Sequence, residues 1–121
     1  MYLQLNKMNK CETIIEMRDF ALKNKVPIIN DEGLLYLLQL ARLKKVKKIL
    51  EIGTAIGYSA INLAMQDDDV LIDTIERDEA MCERALYYIK QVNLEKRIRL
   101  FPEDALELDI SLLQKDYDMI F

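Results

Sequence analysis

The chain alternates between stretches with apolar residues at helical spacing and short, nearly continuous apolar runs. Residues 10–24 carry Ile14, Ile15, Met17, Phe20, Ala21 and Leu22 as a broad stripe with charges on the other side. That spacing predicts a first helix, closed by the cations of Lys23-Asn24-Lys25 near its C-terminal end. Val26-Pro27-Ile28-Ile29 reads as extended, because the residue before a proline avoids the α region. Asn30 or Asp31 then caps a second helix, with Leu34, Leu35, Leu37, Leu38, Ala41 and Leu43 offered to its buried face and Glu32 in its first turn.

From Lys48 the pattern changes. Lys48-Ile49-Leu50-Glu51-Ile52 is a short apolar run that suits a strand covered on both faces. Helical spacing resumes at Tyr58, with Ile61, Ala64 and Met65 turned inward. The acidic turn Asp67-Asp68-Asp69 leads to a second strand over 70–76, a helix over 79–92 with Met81, Ala85, Leu86, Ile89 and Val92 inward, and a third strand over 98–101. A short helix over 105–108, a helical or irregular link over 109–114 and a fourth strand over 117–121 complete the pattern. Strands alternating with helices predict an α/β fold with a parallel, Rossmann-like sheet. Residues 1–45 form its N-terminal helical segment and 46–121 the first half of a Rossmann-like unit.

The stretch with chemistry in it is the turn between the first strand and the helix that follows. Gly53-Thr54-Ala55-Ile56-Gly57 joins them. A helix N-terminus offers unpaired N–H groups and a partial positive charge, and glycine lets backbone approach a ligand closely. A dinucleotide fingerprint would need G-x-G-x-x-G, and a P-loop would need a lysine where Tyr58-Ser59 stands. Neither is present. An acid, Glu76, ends the second strand roughly 20 residues beyond the turn, the spacing at which a carboxylate bonds ribose hydroxyls in nucleotide-binding βαβ units.

Composition removes several function classes. The chain has 121 residues, 51% of them hydrophobic and 31% charged, as in a globular domain. With no histidine, no His-based triad or His-metal site can be built from these residues. Cys11 and Cys82 have no metal spacing and read as reduced thiols. The net charge of −4 gives no overall field toward nucleic acid. The basic cluster Lys44-Lys45-Val46-Lys47-Lys48 precedes the first strand, away from the carboxyl ends where open α/β sheets bind ligands, and reads as a solvated face. No apolar run reaches the length of a membrane span, and Met1–Lys7 lacks a signal peptide's apolar region. A cytoplasmic location with no membrane partner is expected.

The pattern Glu51-x-Gly53-x-x-x-Gly57 resembles motif I of the class I S-adenosylmethionine (SAM) methyltransferases. The longer string from Ile49 to Ile61, ILEIGTAIGYSAI, resembles the cation-dependent small O-methyltransferase family of the catechol and caffeoyl-CoA enzymes. Within that family it is most similar to the bacterial branch of tRNA 5-hydroxyuridine methyltransferases. The resemblance implies SAM as cofactor, a hydroxyl in tRNA or a small catechol-like phenol as acceptor, and a homodimer. It also implies a divalent cation such as Mg²⁺, with ligands beyond Phe121, so that no residue of this chain is a metal ligand or an identified catalytic base.

By the same resemblance, the loop containing Val26 lies over the cofactor pocket. Glu51 takes the methionine ammonium directly or through water, and Gly53 and Gly57 let the turn pass beside the cofactor. Ser59 and nearby N–H groups take the methionine carboxylate, and Glu76 holds the ribose. Tyr58 and Arg77 are expected among the cofactor-binding residues. Asp104 accepts from the adenine amino group, beside the Ala105 backbone. Glu103 stands where a glycine is usual in the family, and Asp104 reads equally well as an N-cap.

The resemblance covers the amino half of the family domain and implies strand order 3-2-1-4 for the strands present. A truncated chain, with its fourth strand a sheet edge open to another chain, is the expectation. A non-catalytic SAM-binding half-domain and an NAD-binding fragment are the alternatives.

Overall fold

A computed structural model describes the backbone of residues 2–121 and the side chains of residues 10–121. The expectation for Met1–Lys7 lies outside the described side chains. In chain order the elements are α1 (Tyr2–Lys23), α2 (Asp31–Leu43), β1 (Lys48–Ile52), α3 (Tyr58–Gln66), β2 (Leu71–Ile75), α4 (Glu79–Gln91), β3 (Ile98–Phe101) and β4 (Met119–Ile120). A single 3₁₀ turn, Ile110–Leu112, lies between β3 and β4.

The four strands are parallel in the order β3-β2-β1-β4, as expected. β1 runs in register with β2, pairing Glu51 with Thr74 and Ile52 with Ile75. This alternation sends Ile49, Glu51, Ile72, Thr74 and Ile98 to one face and Leu50, Ile75 and Phe101 to the other. The first face carries the main core. Met17 and Ala21 of α1, Ala41 of α2, Ile61 and Ala64 of α3, and Ala85, Tyr88 and Ile89 of α4 are buried with it.

The second face is covered by an irregular segment rather than by long helices. A small cluster of Leu50, Ile75 and Leu108, with Phe101, Ala105, Leu113 and Tyr117 against it, forms under the segment after β3. The expected helix over 105–108 is a turn. The Asp104 carbonyl accepts from the N–H groups of Glu107 and Leu108, and its Oδ1 accepts from Leu106 N at 2.9 Å. The residue therefore works as a local turn former. A buried carboxylate anchors the segment from below. Asp73, 3% exposed, accepts two hydrogen bonds from Arg99 at 2.9 and 3.0 Å and one from the Tyr117 hydroxyl.

Other differences concern which residues face inward. α1 begins at Tyr2, well before residue 10. Ile15 and Leu22 of α1, Leu35 and Leu43 of α2 and Leu86 of α4 are exposed, while Tyr88 takes an inward position on α4. An apolar stripe wider than the contact zone makes each of these residues eligible, and packing admits only part of it. β4 is shorter than the expected 117–121. The pairing still reaches beyond it, with Asp118 N donating to the Lys48 carbonyl at 2.8 Å and Phe121 N to the Leu50 carbonyl at 3.0 Å, and the Asp118 carboxylate accepts from Lys47 N and Lys48 N, both at 2.9 Å.

Candidate cofactor site

The carboxyl ends of β1, β2 and β3 come together at one edge of the sheet. Two N–H groups of the glycine turn, those of Gly53 and Thr54, donate to the Ile75 carbonyl at 2.8 and 3.2 Å, so the turn folds over the end of β2. Three of its residues have positive φ: Gly53 (+96°), Ala55 (+48°) and Gly57 (+89°). Ala55 occupies the place where a G-x-G motif would put its second glycine, and its backbone takes the left-handed region that explains such a glycine.

The glycines do different jobs. A Cβ on Gly53 would meet no atom within 4 Å, so the space beside it is open to a ligand. A Cβ on Gly57 would lie 3.5 Å from Ala85 Cβ, so Gly57 serves the packing of the turn on α4 as well as its own backbone angle. Gly57 is also the N-cap of α3 and makes no side-chain cap. The first N–H groups of α3, beside Tyr58 and half-buried Ser59, are left for another acceptor.

Glu76 fixes the turn from the end of β2. Its Oε1 accepts from Ala55 N at 2.8 Å and its Oε2 from Asp78 N at 3.0 Å. A carboxylate has about four acceptor sites, so two remain for ligand hydroxyls. A cleft of about 210 Å³ lies beside it, lined by Ile52, Gly53, Ile75, Glu76, Arg77, Glu103, Asp104 and Ala105. This is smaller than the roughly 300–1,000 Å³ of a site that encloses a whole drug-sized ligand.

The structure thus gathers Gly53, Glu76, Arg77, Asp104 and Ala105 around one cleft. Glu51, near the end of β1, and Gly57, Tyr58 and Ser59, on the turn and helix start, lie next to it. Val26 does not line this cleft: its N–H donates to the Ala21 carbonyl at 2.9 Å, closing α1, and it lines a groove with Arg18, Ala21, Pro27 and Ile28.

Glu51 is the least expected member. It is 3% exposed, and among the described residues no cation pairs with it. Burial, offset in part by a hydrogen bond from Thr74 and reinforced by the nearby charge of Glu76, pushes its carboxyl up to about 7. Thr74 Oγ1 donates to Glu51 Oε1 at 2.6 Å, and Thr54 Oγ1 lies 2.6 Å from Thr74 Oγ1. Because the Thr74 hydrogen is committed to Glu51, Thr54 is the donor of the second bond. Sequence reasoning missed both threonines. Nothing local marks them, because their link to Glu51 depends on the parallel register that sets Thr74 beside it.

The Cys82 thiol also touches the site, donating to the Glu76 carbonyl at 3.2 Å. Burial and the neighbouring Glu76 charge push the thiol up, which keeps it protonated and inert. Both cysteines are free.

Among the described residues no group of three His, Cys, Asp or Glu side chains gathers as a metal site. These described residues do not by themselves fit a divalent cation. Nor is any described helix long and apolar enough to cross a membrane.

A family model described as O-methyltransferase matches residues 5–121. Among solved structures, one described as a caffeoyl-CoA O-methyltransferase of Staphylococcus aureus is 42% identical, with a TM-score of 0.84 over 88% of this chain and 51% of that one. A Bacillus cereus O-methyltransferase in complex with S-adenosylhomocysteine (SAH) is 26% identical, with a TM-score of 0.78 over 90% and 52% of the two chains. An O-methyltransferase of Streptomyces achromogenes involved in tomaymycin synthesis, in complex with SAM, is also 26% identical, with a TM-score of 0.77 over 90% and 52%. The chain spans about half the length of these structures.

Proposed function

The chain belongs to the O-methyltransferase family, and from that premise we propose that it binds SAM at the carboxyl end of β1 and serves methyl transfer to a hydroxyl oxygen. The observation that carries this reading is Glu51: a buried carboxylate, unpaired with any cation among the described residues, beside a glycine turn and an uncapped helix start. A buried charge without a partner is costly, and a ligand that brings the partner recovers that cost. The SAM amino group is such a partner. Its carboxylate suits the free N–H groups at the start of α3, where Ser59 adds a hydroxyl. The cleft at Glu76 and Asp104 has the size of part of a nucleoside cofactor, with two free acceptor sites on Glu76 for ribose hydroxyls.

SAM supplies an electrophilic methyl on a sulfonium. The protein's residues hold the cofactor's two ends so that this methyl faces an acceptor oxygen at short range, and orientation is the main contribution they make to rate. The two bound structures among the relatives, one with SAH and one with SAM, support the choice of cofactor.

For the acceptor we infer the 5-hydroxyl of a tRNA uridine, on the strength of the ILEIGTAIGYSAI string. A small phenol is the second reading, favoured by the description of the Staphylococcus aureus structure. Incubating the protein with SAM and either tRNA containing 5-hydroxyuridine or a catechol, with mass spectrometry of the products, separates them. The expected product is the methoxyuridine. Methylation of the catechol alone moves the assignment to the second reading.

Pairing with a second chain, cytoplasmic location and a cation site outside this chain complete the proposal. Support for pairing comes from β4, an edge strand with Ile120 exposed.

A further inference from the structure

The hydroxyl chain behind Glu51 has no role in the reading above. Thr54, Thr74 and Glu51 are 3%, 0% and 3% exposed, so the two hydrogen bonds of 2.6 Å that join them are made out of water. They span three elements: the glycine turn, the middle of the sheet in β2, and the end of β1. A buried threonine hydroxyl in a strand is not needed for packing, because valine has the same shape.

We propose that Thr74 is a positioning residue for the cofactor: by donating to Glu51 Oε1 while accepting from Thr54, its hydroxyl fixes the orientation of the Glu51 carboxylate and ties it to the glycine turn. This inference rests on the cofactor reading given above. With Oε1 held by Thr74, the second carboxylate oxygen is the one presented to a ligand ammonium. Without the Thr74 hydroxyl, the carboxylate is free to rotate and loses one of the few groups that stabilise its charge. The Thr54 hydroxyl then loses its acceptor, which loosens the turn whose neighbouring N–H, that of Ala55, is held by Glu76.

The surroundings leave Thr74 little competition. α3 contains no charged residue, and the turn contributes only Thr54. On β2, Asp73 points to the opposite face and is taken by Arg99 and Tyr117. Among the described residues Glu76 is the one charged group acting on Glu51, and it opposes ionisation. The Thr74 hydrogen bond is what favours the charged form that a ligand cation needs.

The test uses the whole chain and its Thr74→Val, Thr74→Ser and Thr54→Val variants. Two quantities are read: SAH affinity by calorimetry, and the titration midpoint of the Glu51 carboxyl by carbon-detected NMR of the free protein. Thr74→Val is expected to weaken SAH binding about tenfold or more, as for a lost hydrogen bond to a charged group, and to raise the Glu51 midpoint. Thr74→Ser restores both, and Thr54→Val moves both in the same direction by less. A valine variant with wild-type affinity, or one whose Glu51 titration overlays the wild-type curve, overturns the proposal. If Thr74→Val does not fold, Thr54→Val and Thr74→Ser decide it, because a positioning role requires the first to shift the midpoint and the second to leave it. A wild-type chain that binds no SAH removes the cofactor reading and this inference with it; a wild-type chain that binds while the variants behave alike removes this inference alone.

Discussion

At the scale of single residues, the site is defined by groups held where they would not choose to be. Ala55 sits at a φ of +48°, a region that costs a side-chain-bearing residue on the order of 1 kcal/mol or more. The cost is offset by the hydrogen bond its N–H makes to Glu76. Glu51 is buried with its carboxyl raised from 4.5 to about 7. For an acid raised in the folded state, the folded protein binds more protons than the unfolded chain between those two values. Stability therefore falls as pH rises from about 4.5 to about 7 and is constant beyond. The loss is about 3 kcal/mol at most. Glu51→Gln removes it, so the stability difference between variant and wild type should widen in the variant's favour from pH 5 to pH 8, as read by urea unfolding. A difference independent of pH would show that Glu51 ionises normally in the folded state.

At the scale of elements, the sequence was most legible where one signal decided the outcome. β1, β3, the start of α3 and the start of α4 lie where the apolar runs and helical spacing placed them. Asn30 was one of two candidate caps, and its side chain accepts from Gly33 N at 2.7 Å. Legibility failed where a distant residue decides. Arg97 stands in the turn between α4 and β3, yet its guanidinium donates to the carbonyls of Ala64 at 2.8 Å, Asp67 at 2.9 Å and Val70 at 3.1 Å. It thereby closes the C-terminal end of α3 and the turn into β2, a carbonyl-rich end that favours a cation. Nothing local to residues 64–70 signals this. Arg97→Met should cost about 2–3 kcal/mol, since it strips a charged donor from several half-buried carbonyls. The check is a lower urea midpoint with an unchanged m-value. A cost below about 0.5 kcal/mol, typical of an ordinary surface change, would mean water replaces the arginine freely.

The segment 102–118 is the other case of this kind. The sequence predicts a short helix over 105–108 with Asp104 as a candidate cap, but the segment's place is set by Asp73, Arg99 and Tyr117, which meet across large separations in sequence. The candidate site divides the same way. Gly53, Gly57 and Glu76 follow from spacing. Thr54 and Thr74 become visible only once parallel register sets Thr74 beside Glu51.

At the scale of the whole molecule, the sheet has one face under helices and the other under a single irregular segment, with Ile52, Leu71 and Ile120 exposed around it. β4 lies at the sheet edge, two residues long and paired on one side. Such an edge pairs with another strand where geometry allows. Sedimentation of the protein over a range of concentrations should show dimers that Ile120→Lys dissociates. A concentration-independent monomer would contradict the proposed pairing.

The central claim is that the end of β1 is a SAM site, and calorimetric titration of this chain with SAH, alongside NADH, tests it most directly. Both ligands carry ribose and adenine, but only SAH brings an ammonium for Glu51 and a carboxylate for the start of α3. The account predicts saturable binding of one SAH per chain and no heat from NADH. Binding of NADH, or a folded chain that gives no heat with SAH, would contradict it.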